Sequence, residues 1–335
     1  MIKQLARVSG AFAFSLVLLG LLLFLAGYPP GEALWLIVSS TWGSSTGWMM
    51  LLNRAALLIL TGLAVVIPYR CGLFNIGGEG QLIGGGLIAA IIGTLPFAQA
   101  GAGHLATCLI GGTFAGALLG LIVGWLKSAR QVHEVISTIM LNFIVLHLAN
   151  QLVFGVLRAG EGASRTAQIA EAARLPILFQ QGAVSVTAGI LVALVIAVGL
   201  SVWLYQTRPG FGIRAVGSQP ETAALTGRSV ARTQWLGLVI GGGCAGLAGA
   251  IQTTGMSHAF YARFTGGTGF DGIAVAFLAC VEPWATVPAA LVLSTLHSAD
   301  RILQLELGLH REVTYLLEGI LIVCIALFLR KANHD

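Results

Sequence analysis

Five stretches of this chain run for more than twenty residues without a single Lys, Arg, Asp or Glu: Val8–Gly31, Gly80–Leu126, Val135–Leu157, Leu175–Thr207 and Thr233–Ala262. A bilayer core ~30 Å thick is crossed by a helix of ~20 apolar residues, and each of these runs meets that length. With no water to pair with backbone amides in hydrocarbon, uninterrupted runs of this kind specify helices that satisfy their own N–H and C=O groups. Charged residues make up only 9% of the 335, against about 25% in ordinary soluble domains. The composition excludes a soluble enzyme, a nucleic-acid binder and a disordered scaffold. The expected fold is an all-α integral membrane protein.

Dividing the runs at turn residues and charges gives about ten crossings: 9–28, 51–69, 79–97, 104–126, 134–155, 184–204, 235–257, 271–282, 285–300 and 313–330. With the N-terminus cytoplasmic, inner segments hold eleven Lys and Arg and outer segments six, with Arg54 inside the second crossing. That asymmetry favours both termini inside. Arg54 either snorkels to the outer surface or faces protein. The basic start at Lys3 and Arg7 has no small-residue cleavage site before Tyr28-Pro29-Pro30, which reads as a retained first helix. Residues 1–335 read as one membrane domain, with polar loops near 158–182 and 205–234. The segment 271–282 is short, roughly 18 Å at ~1.5 Å per residue, and reads as a half-helix. Gly112, Gly116, Gly120 and Gly124, and again Gly242 and Gly246, recur at four-residue spacing, the pattern of close helix packing. Five cysteines are scattered singly, so neither a disulfide nor a metal site is expected.

The densest cluster of non-helical signals is Cys71-Gly72-Leu73-Phe74-Asn75-Ile76-Gly77-Gly78-Glu79-Gly80-Gln81. Two readings stand: a backbone break at membrane depth lined by polar groups, or a surface turn with Glu79 as an exposed helix-start carboxylate. Asn142 lies eight residues after Glu134, near the same helix face and about two turns deeper. Glu134 suits either capping or transport. Asp271 follows Gly266-Gly267-Thr268-Gly269 and is equally an N-terminal cap or a solute ligand. Farther along, Ser218-Gln219-Pro220-Glu221 has the spacing of a capping box and Gly227 supplies a stop, which predicts a short helix at 219–226.

The 71–81 run resembles the GLFNIGxEGQ signature of ABC importer permeases of the nucleoside and simple-sugar type, within the group that includes ribose and branched-chain amino acid permeases. His133-Glu134-Val135-Ile136-Ser137-Thr138-Ile139-Met140-Leu141-Asn142 is similar to the family's NEVISTLMLN, with His133 in place of Asn. Gly269-Phe270-Asp271-Gly272-Ile273-Ala274-Val275-Ala276 is similar to its FDGIAVAL. Ala279-Cys280-Val281-Glu282-Pro283-Trp284 replaces a more Gly-rich turn.

The resemblance implies a multi-pass permease of a bacterial cytoplasmic membrane that moves nucleosides or related purine and sugar-like solutes inward. Riboflavin-like compounds and monosaccharides are the neighbouring substrate classes. It implies a separate ABC ATPase subunit, an extracytoplasmic substrate-binding protein and a second permease, with Glu79-Gly80-Gln81 marking one half of a heterodimer. The helix at 219–226 becomes the coupling helix, with Ser218, Glu221, Ala223, Ala224, Gly227 and Arg228 at the ATPase contact. Asn75, Glu79, Gln81, Asn142 and Asp271 are the candidate pathway residues. None of the three lysines sits in a P-loop, so the chain binds no ATP of its own by that motif and is expected to be a permease without enzymatic activity or cofactor. Gly43-Ser44-Ser45-Thr46-Gly47 fits GxSxG but lacks the strand–turn–helix setting of a nucleophile. The rival class is an ion-coupled secondary transporter using Glu79, His147 or Asp271.

Overall fold

The computed structural model describes residues 27–95 and 102–308, together with 20, 21, 23, 24 and 319. All but residue 319 of the expected last crossing at 313–330, and most of the first at 9–28, lie outside the described residues. In chain order the helices are α1 (Pro30–Trp42), α2 (Ser45–Tyr69), α3 (Gly78–Thr94), α4 (Ala102–Arg130) and α5 (Glu134–Phe154). A hairpin of β1 (Ile177–Gln181) and β2 (Val184–Thr187) leads to α6 (Gly189–Gln206), α7 (Arg208–Ser218) and α8 (Pro220–Leu225). Next come α9 (Val230–Ile251), continued by a π-turn at Gln252–Ser257, then α10 (Thr268–Leu278) and α11 (Thr286–Leu307).

Among the described residues five helices are long and apolar enough to cross a membrane: Ser45–Tyr69, Gly103–Arg130, Glu134–Phe154, Gly189–Gln206 and Val230–Ser257. Two of them form the centre. α2 is buried on every side from Ala55 to Pro68, as a helix apolar all round must be, and α9 packs against α2, α3 and α4. The α4–α9 seam is made by the two glycine ladders. A Cβ on Gly116 would lie 2.2 Å from the Gly242 carbonyl oxygen, and one on Gly246 would lie 2.3 Å from that of Gly112. Only hydrogen fits there, so the backbones touch.

Two faces bound the helices. On one, the segment from Gly155 to Ala188 covers the ends of α3 and α9: Ala170 donates its amide to the Gly93 carbonyl at 2.9 Å, and Leu175 to that of Thr254 at 3.0 Å. Asn53 ties β2 to α2, donating to the Ser185 carbonyl at 2.6 Å and accepting from the Thr187 amide at 3.3 Å. The opposite face carries α7 and α8.

Three local expectations need correcting. Residues 184–187 form a strand instead of opening the 184–204 crossing, because β-branched Val184, Val186 and Thr187 pair with 177–181 across a turn at Gly182 whose φ is +59°. Second, α7 is a helix inside the expected 205–234 loop, and α1 is a helix in the interval left between the first two expected crossings. Each has proline in its first turn, where a missing N–H costs nothing, and Thr207 caps α7 by accepting from the Gly210 amide at 3.2 Å. Third, that earlier start places Ser218 inside α7, where its hydroxyl donates back to the Ala215 carbonyl at 3.0 Å, so the capping box does not form. The helix after it nonetheless spans Pro220–Leu225, within the expected 219–226.

Candidate functional site

The glycine-rich segment sits at the junction of α2, α3, α5 and α10, and a proline begins it. Pro68 lies within the last turn of α2 and has no N–H for the carbonyl four residues back. That orphan carbonyl, on Ala64, accepts instead from the Asn75 side-chain amide at 2.9 Å. Asn75 Oδ1 in turn accepts from the Gly77 amide at 3.0 Å, closing the turn that launches α3. Asn75 and Gln81 then pair through their amides, Asn75 donating at 3.0 Å and Gln81 donating back at 3.4 Å.

The start of α3 has no cap of its own, since its flanking residue Gly77 lacks a side chain. Asn142 of α5 supplies one: its Oδ1 accepts from the Gly80 amide at 2.8 Å and its Nδ2 donates to the Ile76 carbonyl at 2.9 Å. α10 repeats the device. Its flanking residue is Gly267, with φ +94° and no side chain, and the Gly269 amide donates to Glu79 Oε2 at 2.7 Å. The Thr265 hydroxyl donates to the other oxygen, Oε1. The approach is close enough that a Cβ on Gly269 would lie 2.3 Å from Glu79 Cα. Two helices therefore begin side by side, and the positive end of α10 meets a carboxylate.

The depth of this junction follows from helix geometry. Asn142 stands eight residues beyond Glu134, roughly 12 Å into α5. On the other side, a Cβ on Gly272 of α10 would meet the Thr61 backbone at 2.6 Å. Thr61 lies eight residues before the end of α2, again roughly 12 Å inside. Asn75, Glu79, Gln81 and Asn142 are 0, 8, 1 and 5% exposed. Of the two readings of the 71–81 run, the exposed surface turn does not fit this burial: Glu79 and its polar neighbours are enclosed by protein, as the internal break requires.

Asp271 stands apart from that cluster although it shares α10. Its Oδ2 pairs with the Arg54 guanidinium at 3.2 Å and lies 4.0 Å from His297 Nε2, while Arg54 Nε donates to His297 Nδ1 at 3.3 Å. Arg54 thus faces protein. Glu134, at the α4–α5 corner, takes Lys127 at 2.6 Å, and the cap of α5 is the His133 ring, accepting from the Val135 amide at 3.3 Å. Among the described residues no group of His, Cys, Asp and Glu could hold a metal ion.

On the face carrying α7 and α8, a second cluster ties three segments together. Arg70 donates to the Val281 carbonyl at 2.8 Å and pairs with Glu282, whose other oxygen accepts from the Tyr205 hydroxyl. A Cβ on Gly217, near the end of α7, would lie 2.1 Å from the Arg70 carbonyl oxygen. α8 ends in a two-bond C-terminal motif: the Gly227 amide donates to Ala224 at 2.9 Å and the Arg228 amide to Ala223 at 3.2 Å, with Gly227 at φ +81°. Of the expected contact residues, Ala223 is buried, while Ser218, Glu221, Ala224, Gly227 and Arg228 are not. Sequence reasoning missed Arg70, Tyr205 and Gly217 as members of one cluster. The signal for Arg70 was its place between a proline-ended helix and the glycine run.

Residues 47–326 match the family described as the permease component of the branched-chain amino acid transport system. The chain is 39% identical to the guanosine ABC transporter permease protein NupP of Bacillus subtilis, over 80% of this chain and 77% of that one. It is 31% identical to the glucose ABC transporter permease protein TsgB13 of Haloferax volcanii, over 91% of this chain and 82% of that one. Against a second Bacillus subtilis guanosine permease, NupQ, the identity is 27% over 71% of this chain and 76% of that one. The chain belongs to the branched-chain amino acid transport system permease family, as a membrane-spanning permease subunit of an ABC transporter.

Proposed function

We propose that this chain is one half of the membrane domain of an ATP-driven importer for nucleosides. The observation that carries the substrate class is the 39% identity to a permease named for guanosine, against 31% to one named for glucose. Monosaccharides are the second class, and the family favours ATP-driven over ion-coupled transport. The ATPase is a separate subunit, an extracytoplasmic binding protein delivers solute, and a second permease completes the path. The likeness of this chain to both NupP and NupQ supports a heterodimer.

In this reading residues 1–335 are one ten-crossing domain with both termini cytoplasmic, and the α7–α8 face is cytoplasmic. α8 is the coupling helix: Leu225 is 89% exposed there, an apolar group suited to a groove on another protein. Ser218, Glu221, Ala223, Ala224, Gly227 and Arg228 form or support the ATPase contact. Motion of α8 passes through α7 to the Gly217–Arg70 backbone contact, and from Arg70 along the turn into the break at Asn75–Gly80. Asn75, Glu79, Gln81 and Asn142 hold the two helix starts whose displacement opens and closes the path, and Asp271 lines it.

The test is uptake of radiolabelled guanosine by proteoliposomes holding this chain with its partner permease and ATPase. Uptake that requires both ATP and the binding protein is the expected result. Uptake driven by an ion gradient through this chain alone overturns the reading. A Glu221→Arg variant that assembles normally is expected to lose ATPase coupling; unchanged coupling removes α8 from the contact.

A further inference from the structure

The helix faces exposed to the surroundings differ in kind. α5 presents Ile136, Met140, Phe143, Ile144 and Leu148 with His147 among them, and α6 presents apolar Leu191, Val195, Val198 and Val202. The face shared by α2, α10 and α11 presents charge at membrane depth. Trp42 and Trp48 pack edge to face at 4.5 Å near the start of α2, as aromatic residues do at a bilayer interface. Arg54 lies six residues deeper than Trp48, roughly 9 Å.

Its guanidinium does not turn back toward that interface, as a snorkelling arginine would. It reaches Asp271, next to Gly272, which packs on Thr61 seven residues deeper still. The side chains of Arg54, Asp271 and His297 remain 31, 16 and 12% exposed. A charged group in the membrane faces protein or water and not lipid. From Phe270, beside Asp271 in sequence, a partly exposed stripe continues down α10 through half-buried Ile273 and Phe277 at helical spacing. It runs on to Phe74 and Tyr69, whose rings pack with that of Phe277 at 6.0–6.4 Å, and ends at Arg70–Glu282.

We infer that this stripe is one wall of the solute path. The Arg54–Asp271–His297 triad meets the hydrogen-bonding edge of a planar heterocycle, and the Phe270, Phe74 and Phe277 rings provide surfaces over which it slides. A neutral nucleobase fits this chemistry: its edge exchanges water for charged partners and its faces stack on aromatic rings. The inference rests on the importer reading and adds Arg54, His297 and the aromatic stripe to it.

Thiol accessibility in the assembled transporter tests it. Cysteines are placed singly at Phe270, Ile273, Phe143 and Val195 in a version whose five native cysteines are replaced, and treated with a membrane-impermeant trimethylammonium methanethiosulfonate. The thiolate is the reacting species, and a thiol in hydrocarbon does not ionise, so the Phe270→Cys and Ile273→Cys proteins are expected to react at least about tenfold faster than the other two. Guanosine is expected to slow the reaction. Equal rates at all four positions overturn the inference while ATP-dependent uptake by the cysteine-free parent transporter keeps the importer reading. Fast labelling at Phe270→Cys and Ile273→Cys with no ATP-dependent uptake by the cysteine-free parent upholds the watered face and overturns the importer.

Discussion

The short helices of this protein begin and end in two opposite ways. α8 is terminated by its neighbours in sequence: Pro220 opens it, and the Gly227 and Arg228 amides close it onto Ala224 and Ala223. α3 and α10 begin at glycines that offer no cap, and are held by side chains far away in sequence, Asn142 for α3 and Glu79 for α10. A locally terminated helix moves as a unit and keeps its shape when its surroundings change. A helix capped in trans keeps its start only while its neighbour stays in register, so a shift of α5 or α3 is felt at once by α3 or α10. The first arrangement suits a lever and the second a joint.

The largest contrast is expected where each kind of end meets a new methyl group. Gly269→Ala drives a Cβ to 2.3 Å from the Glu79 backbone, which cannot give way as a side chain can. The expected destabilisation is about 3 kcal/mol, in the upper range of overpacking, with loss of uptake. Gly227→Ala meets nothing within 4 Å and has only its φ of +81° to overcome, about 1 kcal/mol. Thermal unfolding of the purified transporter checks both; equal shifts in the midpoint erase the distinction between the two kinds of helix end.

The next effect separates the two trans caps from each other. Glu79→Ala strips a charged partner from the Gly269 amide and the Thr265 hydroxyl, a loss of about 2–3 kcal/mol. Asn142→Ala removes a neutral cap from the Gly80 amide, worth about 1 kcal/mol. Glu79→Gln keeps one acceptor oxygen for the Gly269 amide and sets an N–H donor at the other position, where the Thr265 hydroxyl can turn to accept, and is expected to fall between them. Ranking the three variants by midpoint of unfolding tests the order, and an Asn142→Ala loss as large as that of Glu79→Ala contradicts it.

How much of this was readable in advance follows the same division. The 219–226 helix could be read because its signals, Pro220 and Gly227, lie inside it. The break could be placed because four glycines and an asparagine fall within eleven residues. Its partners could not: Glu79 and Gly269 are 190 positions apart, Arg54 and Asp271 are 217 apart, and no local pattern announces either contact. Asn142 was singled out, yet spacing along α5 says only which face it shares with Glu134 and nothing of the Gly80 amide it caps. Ser218 misled because a capping box is defined by spacing, and the spacing is indifferent to whether an earlier helix has already claimed the serine. Single apolar runs such as Leu175–Thr207 conceal a hairpin because β-branched residues serve strand and buried helix alike.

The smallest effect is the most informative about how the joint is built. If Asn75 is held in place by the carbonyl that Pro68 leaves orphaned, the two residues are energetically coupled although they are seven positions apart and on different segments. Pro68→Ala restores an N–H that can reach the Ala64 carbonyl, so the Asn75 amide is no longer its only donor. Asn75→Ala in the native background leaves that carbonyl without a partner in a site that is 0% exposed at Asn75. In the Pro68→Ala background the helix supplies the missing bond, and the same substitution costs less. A double-mutant cycle is expected to return a coupling of about 1 kcal/mol, the size of one buried hydrogen bond. Additive losses mean that Asn75 acts only through Gly77 and Gln81, and that the proline merely ends a helix. Coupling means that the end of α2 and the turn into α3 are one device, in which removal of a backbone donor from one helix fixes the side chain that starts the next.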